Sequence, residues 1–292
     1  MTLRLFFMNK VLRILLRVVH YLWVTIKTIF LLYAVLFSLA GTAGLYLGYR
    51  YATTPIRQVK YLCDHNPAAT AYMARYRATL NPGDTLVQVF VPFDSISRNL
   101  REAVVAAEDD GFYTHPGFDI EAMLAALEYN RAAGGIKRGA STISQQLAKN
   151  LFLTNEKTFE RKYKELGYTL LLEKYLGKKR ILELYLNYAQ WGKTVFGCEA
   201  ASRRYFKKSC RNLSREESAR LAAVLSMPNK TTPLNTGTSF MGQRIAVIAN
   251  NLYLHRQIDD SGYTRLTGAR PPGKDSSEFD SADSGDEGDT LH

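Results

Sequence analysis

Residues 107–119 read AEDDGFYTHPGFD, a dense run of polar and turn-forming residues, and the stretch leading into it decides how that run is presented. Ile96, Leu100, Val104 and Ala107 recur on one stripe, which predicts a helix from about Ser97 to Asp109 with one apolar face. Glu108 then falls at the C-terminal end of that helix, on its apolar side. A carboxylate placed there loses hydration, and desolvation raises its pKa toward the range useful to a general base or acid. A carboxylate that only caps local amides is the plainer alternative.

Outward from this run the chain reads as mostly α. Asp119 is a candidate N-cap for a second helix, with Ile120, Met123, Leu124 and Leu127 at helical spacing and a stop at Gly134 and Gly135. Thr142 and Gln145 have the spacing of a capping box that opens a third, with Ile143, Leu147 and Leu151 repeating every four. Phe159, Tyr163, Leu166 and Leu170 define a fourth helix ending at Gly177, and Ile181, Tyr185 and Tyr188 a fifth ending near Gly192. Ser214 with Glu217 opens a sixth that Pro228 closes, and Ile245, Ile248 and Leu252 mark a last amphipathic one. Only LVQVFV (residues 86–91) reads as strand. The expectation is one α-rich domain over residues 50–258, without βαβ alternation or internal repeats.

The flanks have other characters. Thr28 to Tyr49 holds no charged residue, and as a helix it reaches about 33 Å, enough to cross a hydrocarbon core of about 30 Å. It is too long for the apolar core of a cleaved signal peptide and reads as an uncleaved anchor. Residues 1–60 carry eight Lys or Arg and no acid, so residues 1–27 are expected in the cytoplasm and residues 50 onward outside. Lys10, Arg13, Arg17, His20 and Lys27 fit either a helix lying on anionic lipid or an extended basic flank. Residues 259–292, rich toward the end in Ser, Asp, Gly and Glu, are expected to form a disordered acidic tail.

Composition narrows the partners. At 46% hydrophobic and 22% charged, the 292 residues can bury a core. Residues 61–270 hold 29 bases against 20 acids, which favours phosphate-bearing partners: anionic lipid, pyrophosphate substrates or nucleic acid. Cys63, Cys198 and Cys210 form no CxxC pair and an odd number leaves one unpaired, so a disulfide framework or zinc site is not expected; a helix between Cys198 and Cys210 should hold those two apart.

No Walker loop, GxGxxG, HExxH or GxSxG is present. What remains is RGASTISQQLAKN (138–150), which places Ser141, Thr142, Gln145, Gln146 and Lys149 at a helix start where free amides attract anions. FERKYKE (159–165) adds Arg161 and Lys162 within a turn of Glu165. Two glutamates, an anion-attracting helix start and clustered cations suggest glycosyl chemistry on a phosphorylated sugar donor.

At this point the sequence resembles the peptidoglycan glycosyltransferases of family 51. EDDGFYTHPG matches the family's ED-x-x-F-x-x-H-x-G element and GASTISQQLAKN its G-x-S-T-I-x-Q-Q-x-x-K-N element; RKYKE (161–165), RILELYLN (180–187) and ARLAAVL (219–225) follow in the family's order. The resemblance implies a lysozyme-like fold and the joining of lipid-linked disaccharide-peptide units (lipid II) into glycan strands. Glu108 would be the general base on the acceptor's 4-hydroxyl, with inversion at the donor's anomeric carbon and polyprenyl pyrophosphate leaving. Glu165, 57 residues on, would assist the pyrophosphate or hold a divalent cation such as magnesium; no other cofactor is implied. Ser141, Gln145, Gln146, Lys149, Arg161 and Lys162 would contact substrate, with Asp109 orienting the loop or Glu108 beside them. Lys157 stands where relatives often carry Arg, and a point charge there holds phosphate less firmly than a bidentate fork. His115 would pin the loop that sets Glu108.

Only 36 residues follow Arg256 and no S-x-x-K motif accompanies them, so a single activity is expected. Partners would be lipid II, the growing strand and the inner (cytoplasmic) membrane, crossed once, with other cell-wall synthesis proteins open and nucleic acid not expected. The rivals are a lysozyme-like glycan-cleaving enzyme, which has no need of the cationic cluster, and an inactive cell-wall scaffold.

Overall fold

The computed structural model describes residues 2–132, 134–135, 139–153 and 158–272, with side chains from Arg13 onward. Lys137, Arg138, Lys157 and the acidic residues beyond 272 lie outside the described residues. The chain divides into two units, residues 1–58 and 59–292.

The first unit is one helix, α1 (Thr2–Tyr61), whose last residues enter the second unit. It continues well past both ends of the expected span, and the basic flank is helical. Ile29, Phe30, Leu31 and Leu32 are all exposed in succession, so its surface is apolar all round and not on a single stripe. Among the described residues this is the one helix long and apolar enough to cross a membrane.

The second unit is mostly α. Val59 and Leu62 are buried in its core, followed by α2 (Ala71–Arg77), α3 (Arg98–Glu108), α4 (Ile120–Ala132), α5 (Ile143–Phe152) and α6 (Phe159–Tyr188). Then come α7 (Cys198–Phe206), α8 (Arg215–Ala223), α9 (Ser239–Leu254) and α10 (Asp260–Thr267). The expected caps form: Ser97 on α3, and capping boxes from Thr142 with Gln145 and from Ser214 with Glu217. Leu100 and Val104 of α3, Leu147 of α5, Leu172 and Leu184 of α6, Leu221 of α8 and Ile248 of α9 meet in one core, each burial worth about 1.5–3 kcal/mol. α5 packs on α6, and α3 on both α8 and α9.

The expected fourth and fifth helices are two parts of α6 joined at Gly177, whose φ of 70° and ψ of 166° break the helical path. The apolar side chains on its two sides differ in exposure, although Leu172 before the break also reaches the core. Before it Phe159, Tyr163, Leu166 and Leu170 are exposed; after it Ile181, Leu182, Leu184, Tyr185, Leu186 and Tyr188 are buried. α4 is similarly apolar outward, with Ile120, Met123, Leu124 and Leu127 exposed and Ala126 buried.

Several expectations are corrected. LVQVFV contributes only β1 (Val87–Gln88), which joins β2 (Gln190–Gly192) and β3 (Val195–Phe196) in a sheet of order β1-β3-β2. β1 and β3 run parallel with Val87 opposite Val195, and the antiparallel pair β2–β3 ends the fifth predicted helix at Tyr188 instead of Gly192. The boundary at residue 258 falls too early, because Asp259 caps α10 and Tyr263 is buried, with its hydroxyl on Asn250 Oδ1 at 2.8 Å. Cys198 and Cys210 are not held apart: α7 stops at Phe206, Lys207 turns the chain back with φ 59°, and the two free thiols lie 3.7 Å apart.

Candidate active site

Glu108 is the last residue of α3, because Asp109 leaves the helical path while its N–H still bonds Val105 O. The loop that follows folds back on itself. Asp109 is buried and its Oδ1 lies 2.7 Å from His115 Nε2, while Gly117 N–H donates to His115 Nδ1 at 3.1 Å. That donation makes Nδ1 an acceptor, so the ring proton sits on Nε2 and points to Asp109. Gly117 has φ 104° and backs onto α6, where a Cβ would lie 2.9 Å from Glu173 Cγ. No larger residue fits.

The start of α5 docks on this loop. Thr142 Oγ1 donates to Gly117 O at 2.7 Å, and Ile143 N–H donates to Asp109 Oδ2 at 2.9 Å. The anion drawn to this helix start is therefore the protein's own carboxylate. Asp109, expected beside the substrate contacts to orient the loop or Glu108, and Gln145, expected to touch substrate, both turn inward. Both Asp109 oxygens are bonded within the protein, and buried Gln145 accepts from Thr142 N–H at 3.0 Å to close the capping box.

Gln146 lies one residue further along α5. Its Nε2 donates to Glu108 Oε2 at 2.9 Å, and its Oε1 accepts from the Tyr185 hydroxyl at 2.9 Å. The other oxygen of Glu108 accepts from Arg244 Nη2 of α9 at 3.0 Å, and the same nitrogen donates to Ala107 O at 3.0 Å. Burial pushes the Glu108 carboxyl above the ordinary glutamate range, while Gln146, Arg244 and Lys149 pull in the opposite direction. Burial also raises Asp109, against the hydrogen bonds from His115 and Ile143, and lifts the Tyr185 phenol well above its usual value.

Glu108 opens on a cleft of about 650 Å³, lined also by Asp110, Asp119, Tyr129, Ser141, Phe240 and Arg244. Ser141 is exposed there. Gln146 and Lys149 line a second hollow of about 240 Å³ with Tyr185. The cations of α6 form a separate group. Glu165 is buried, and its oxygens accept from Arg161 Nη1 at 2.9 Å and Lys162 Nζ at 2.6 Å. These three line neither hollow.

A divalent cation finds no ready set here. Both Glu165 oxygens face cations, and among the described residues no three His, Cys, Asp or Glu side chains gather in metal-holding geometry.

Two participants escaped the sequence reading. Arg244 sits on α9 beside the apolar positions Ile245 and Ile248, and nothing local marks it as the partner of a carboxylate 136 residues earlier. Tyr185 reads as one more stripe position; only its hydroxyl, bonded to Gln146, gives it a site role.

An α-rich domain that holds a buried carboxylate at a cleft, fixes it with an amide and a guanidinium and groups cations on a neighbouring helix has the class features of an enzyme that works through an acid–base carboxylate. Residues 77–253, more than half of the chain, match the family described as Transglycosylase. The chain is 48% identical over 174 residues to the biosynthetic peptidoglycan transglycosylase of Thiobacillus denitrificans, covering 58% of this chain and 75% of that protein. It is 45% identical over 190 residues to the proteins of the same name from Burkholderia cenocepacia and Paraburkholderia xenovorans, covering 64% of this chain and 77% and 79% of theirs. The chain belongs to the transglycosylase family, the peptidoglycan glycosyltransferases of family 51.

Proposed function

We propose that this enzyme polymerises glycan strands from lipid II. Glu108 takes the proton from the acceptor's 4-hydroxyl as that oxygen attacks the donor's anomeric carbon; the bond to the polyprenyl pyrophosphate breaks, and configuration inverts. The observation that carries this reading is the Glu108 carboxylate, bonded to Gln146 and Arg244 at the cleft. A base must be ionised yet eager for a proton. Burial supplies the second property, and the Arg244 charge preserves the first. The same pairing weighs against a glycan-cleaving enzyme, which needs its carboxyl protonated to release the leaving sugar.

The leaving pyrophosphate needs charge stabilisation more than a proton. Lys149 supplies it from α5, and Arg161 and Lys162 from α6 by turning from Glu165 toward the phosphates; Lys157 is proposed beside them. Ser141 and Gln146 position the sugars. Asp109 and Gln145 act indirectly, by holding the loop and the helix start. A divalent cation such as magnesium arrives with the pyrophosphate. The protein sits in the inner membrane with its N-terminus inside and residues 50 onward outside, as the acid-free basic flank favours. The outward apolar stripes of α4 and the first half of α6 suit contact with lipid, where the substrate's polyprenyl tail lies. Incubating the purified protein with lipid II and separating strands from monomer tests the reading; no polymer under conditions that keep the protein folded would refute it.

A further inference from the structure

The smaller hollow carries a cation that the reaction above does not use. Arg75 of α2 and Lys149 of α5 both line it, together with Tyr72, Gln146, Tyr185 and Gln190, and no carboxylate does. Its wall is held in place: Tyr72 donates to Gln190 Oε1 at 2.7 Å, Gln190 Nε2 to Asn229 Oδ1 at 2.9 Å, and Tyr76 to the same Asn229 oxygen at 3.0 Å.

Among the described residues, three arginines bury their Nε without a hydrogen-bond partner: Arg75, Arg101 and Arg244. Two of them have their charge met elsewhere. Arg101 lies over the Phe93 ring at 4.3 Å, and Arg244 is paired with Glu108. Arg75 has no ion pair, ring contact or side-chain hydrogen bond among the described residues. A half-buried guanidinium with an unmet N–H, facing a hollow with a second cation and no acid, is completed by an oxyanion. Its planar fork matches phosphate or carboxylate geometry.

We propose that Arg75 binds an oxyanion of the substrate jointly with Lys149, at the Tyr185 end of Gln146, away from Glu108. The proposal rests on the polymerase reading. Arg75 lies just ahead of residue 77, where the family match begins. The oxyanion is a phosphate of the donor's diphosphate or a carboxylate of the peptide on its sugar.

The test compares full-length protein with Arg75→Ala and Arg75→Lys, after thermal melts establish that both fold. Initial rates are followed against polyprenyl-diphosphoryl disaccharide with and without its peptide. Loss of one charge-assisted contact in Arg75→Ala should raise KM about 10-fold with kcat within about two-fold, and Arg75→Lys should recover part of it. A rise with both substrates, accompanied by weaker inhibition by inorganic pyrophosphate, assigns the phosphate; a rise only with the peptide-bearing substrate assigns the carboxylate. Unchanged KM for both, or a fall in kcat alone, overturns the proposal. Calorimetric binding of inorganic pyrophosphate and of the free acidic peptide reads Arg75 without turnover. Failure of the polymerase reading is thereby told apart from failure of this one, and equal binding of both probes by Arg75→Ala would also overturn it.

Discussion

Replacing Glu108 with Gln removes the proposed base and leaves its shape. The surroundings can absorb the change. Glu108 accepts from Gln146 on one oxygen and Arg244 on the other, so a Gln at 108 keeps its carbonyl toward Arg244 and turns its amide toward Gln146. Gln146 can answer by flipping, which brings its oxygen to the new donor and its amide to the Tyr185 oxygen, an atom that also accepts. What is lost is one charge-assisted bond, about 1.5–3 kcal/mol, offset by no longer burying a charge. A net loss under about 2 kcal/mol moves the melting temperature of a domain this size by less than about 8 °C. Polymerisation should fall at least about 100-fold, equivalent to about 2.7 kcal/mol of barrier. The assay is strand formation from lipid II, with circular dichroism melts on the same preparation. Near-normal polymerisation by a folded Glu108→Gln protein would refute the assignment.

Arg244→Gln removes the guanidinium that favours ionised Glu108, so the carboxyl rises further and stays protonated to higher pH. The acid limb of the pH–rate profile should move up while the rate at alkaline pH recovers; a limb that stays put would count against the pairing. Lys149→Ala and Arg161→Ala should both weaken donor use and binding of phosphoglycolipid inhibitors such as moenomycin, with added salt reproducing part of the loss; unchanged inhibitor affinity in either variant refutes that residue's phosphate role. A chain shortened to begin near Tyr51 keeps the buried Val59 and Leu62, so it should fold and polymerise in detergent micelles but lose efficiency on lipid II in vesicles. Equal vesicle rates at several enzyme concentrations would leave α1 with no kinetic contribution.

Local signals were legible where one side chain answers its own neighbourhood. Thr142 with Gln145, and Ser214 with Glu217, announce helix starts because each pair satisfies its own backbone. Glu108 could be singled out because one helical stripe and the break after it were enough to imply burial. Arg244 could not, since its meaning comes from α9 crossing α3 and no local pattern encodes that crossing. The strands failed for a related reason: Gln190–Gly192 and Val195–Phe196 are too short to show alternation and exist only because they pair. Periodicity found α4 and the first half of α6 but left open what their apolar faces meet, because a stripe looks the same whether it faces protein or lipid.

Those outward stripes make the stability of the domain a property of its solvent as well as of its sequence. Folding leaves Met123, Leu124, Leu127, Phe159 and Tyr163 accessible, and an amphiphile that covers them removes them from water. Any lipid or detergent that binds the folded surface in preference to the unfolded chain then enters the folding equilibrium as a ligand, and its contribution grows with concentration and affinity. A single sequence thus has as many melting temperatures as there are amphiphiles to measure it in. A charge introduced at Leu127 could leave the protein unchanged in plain buffer and still undo it in a bilayer.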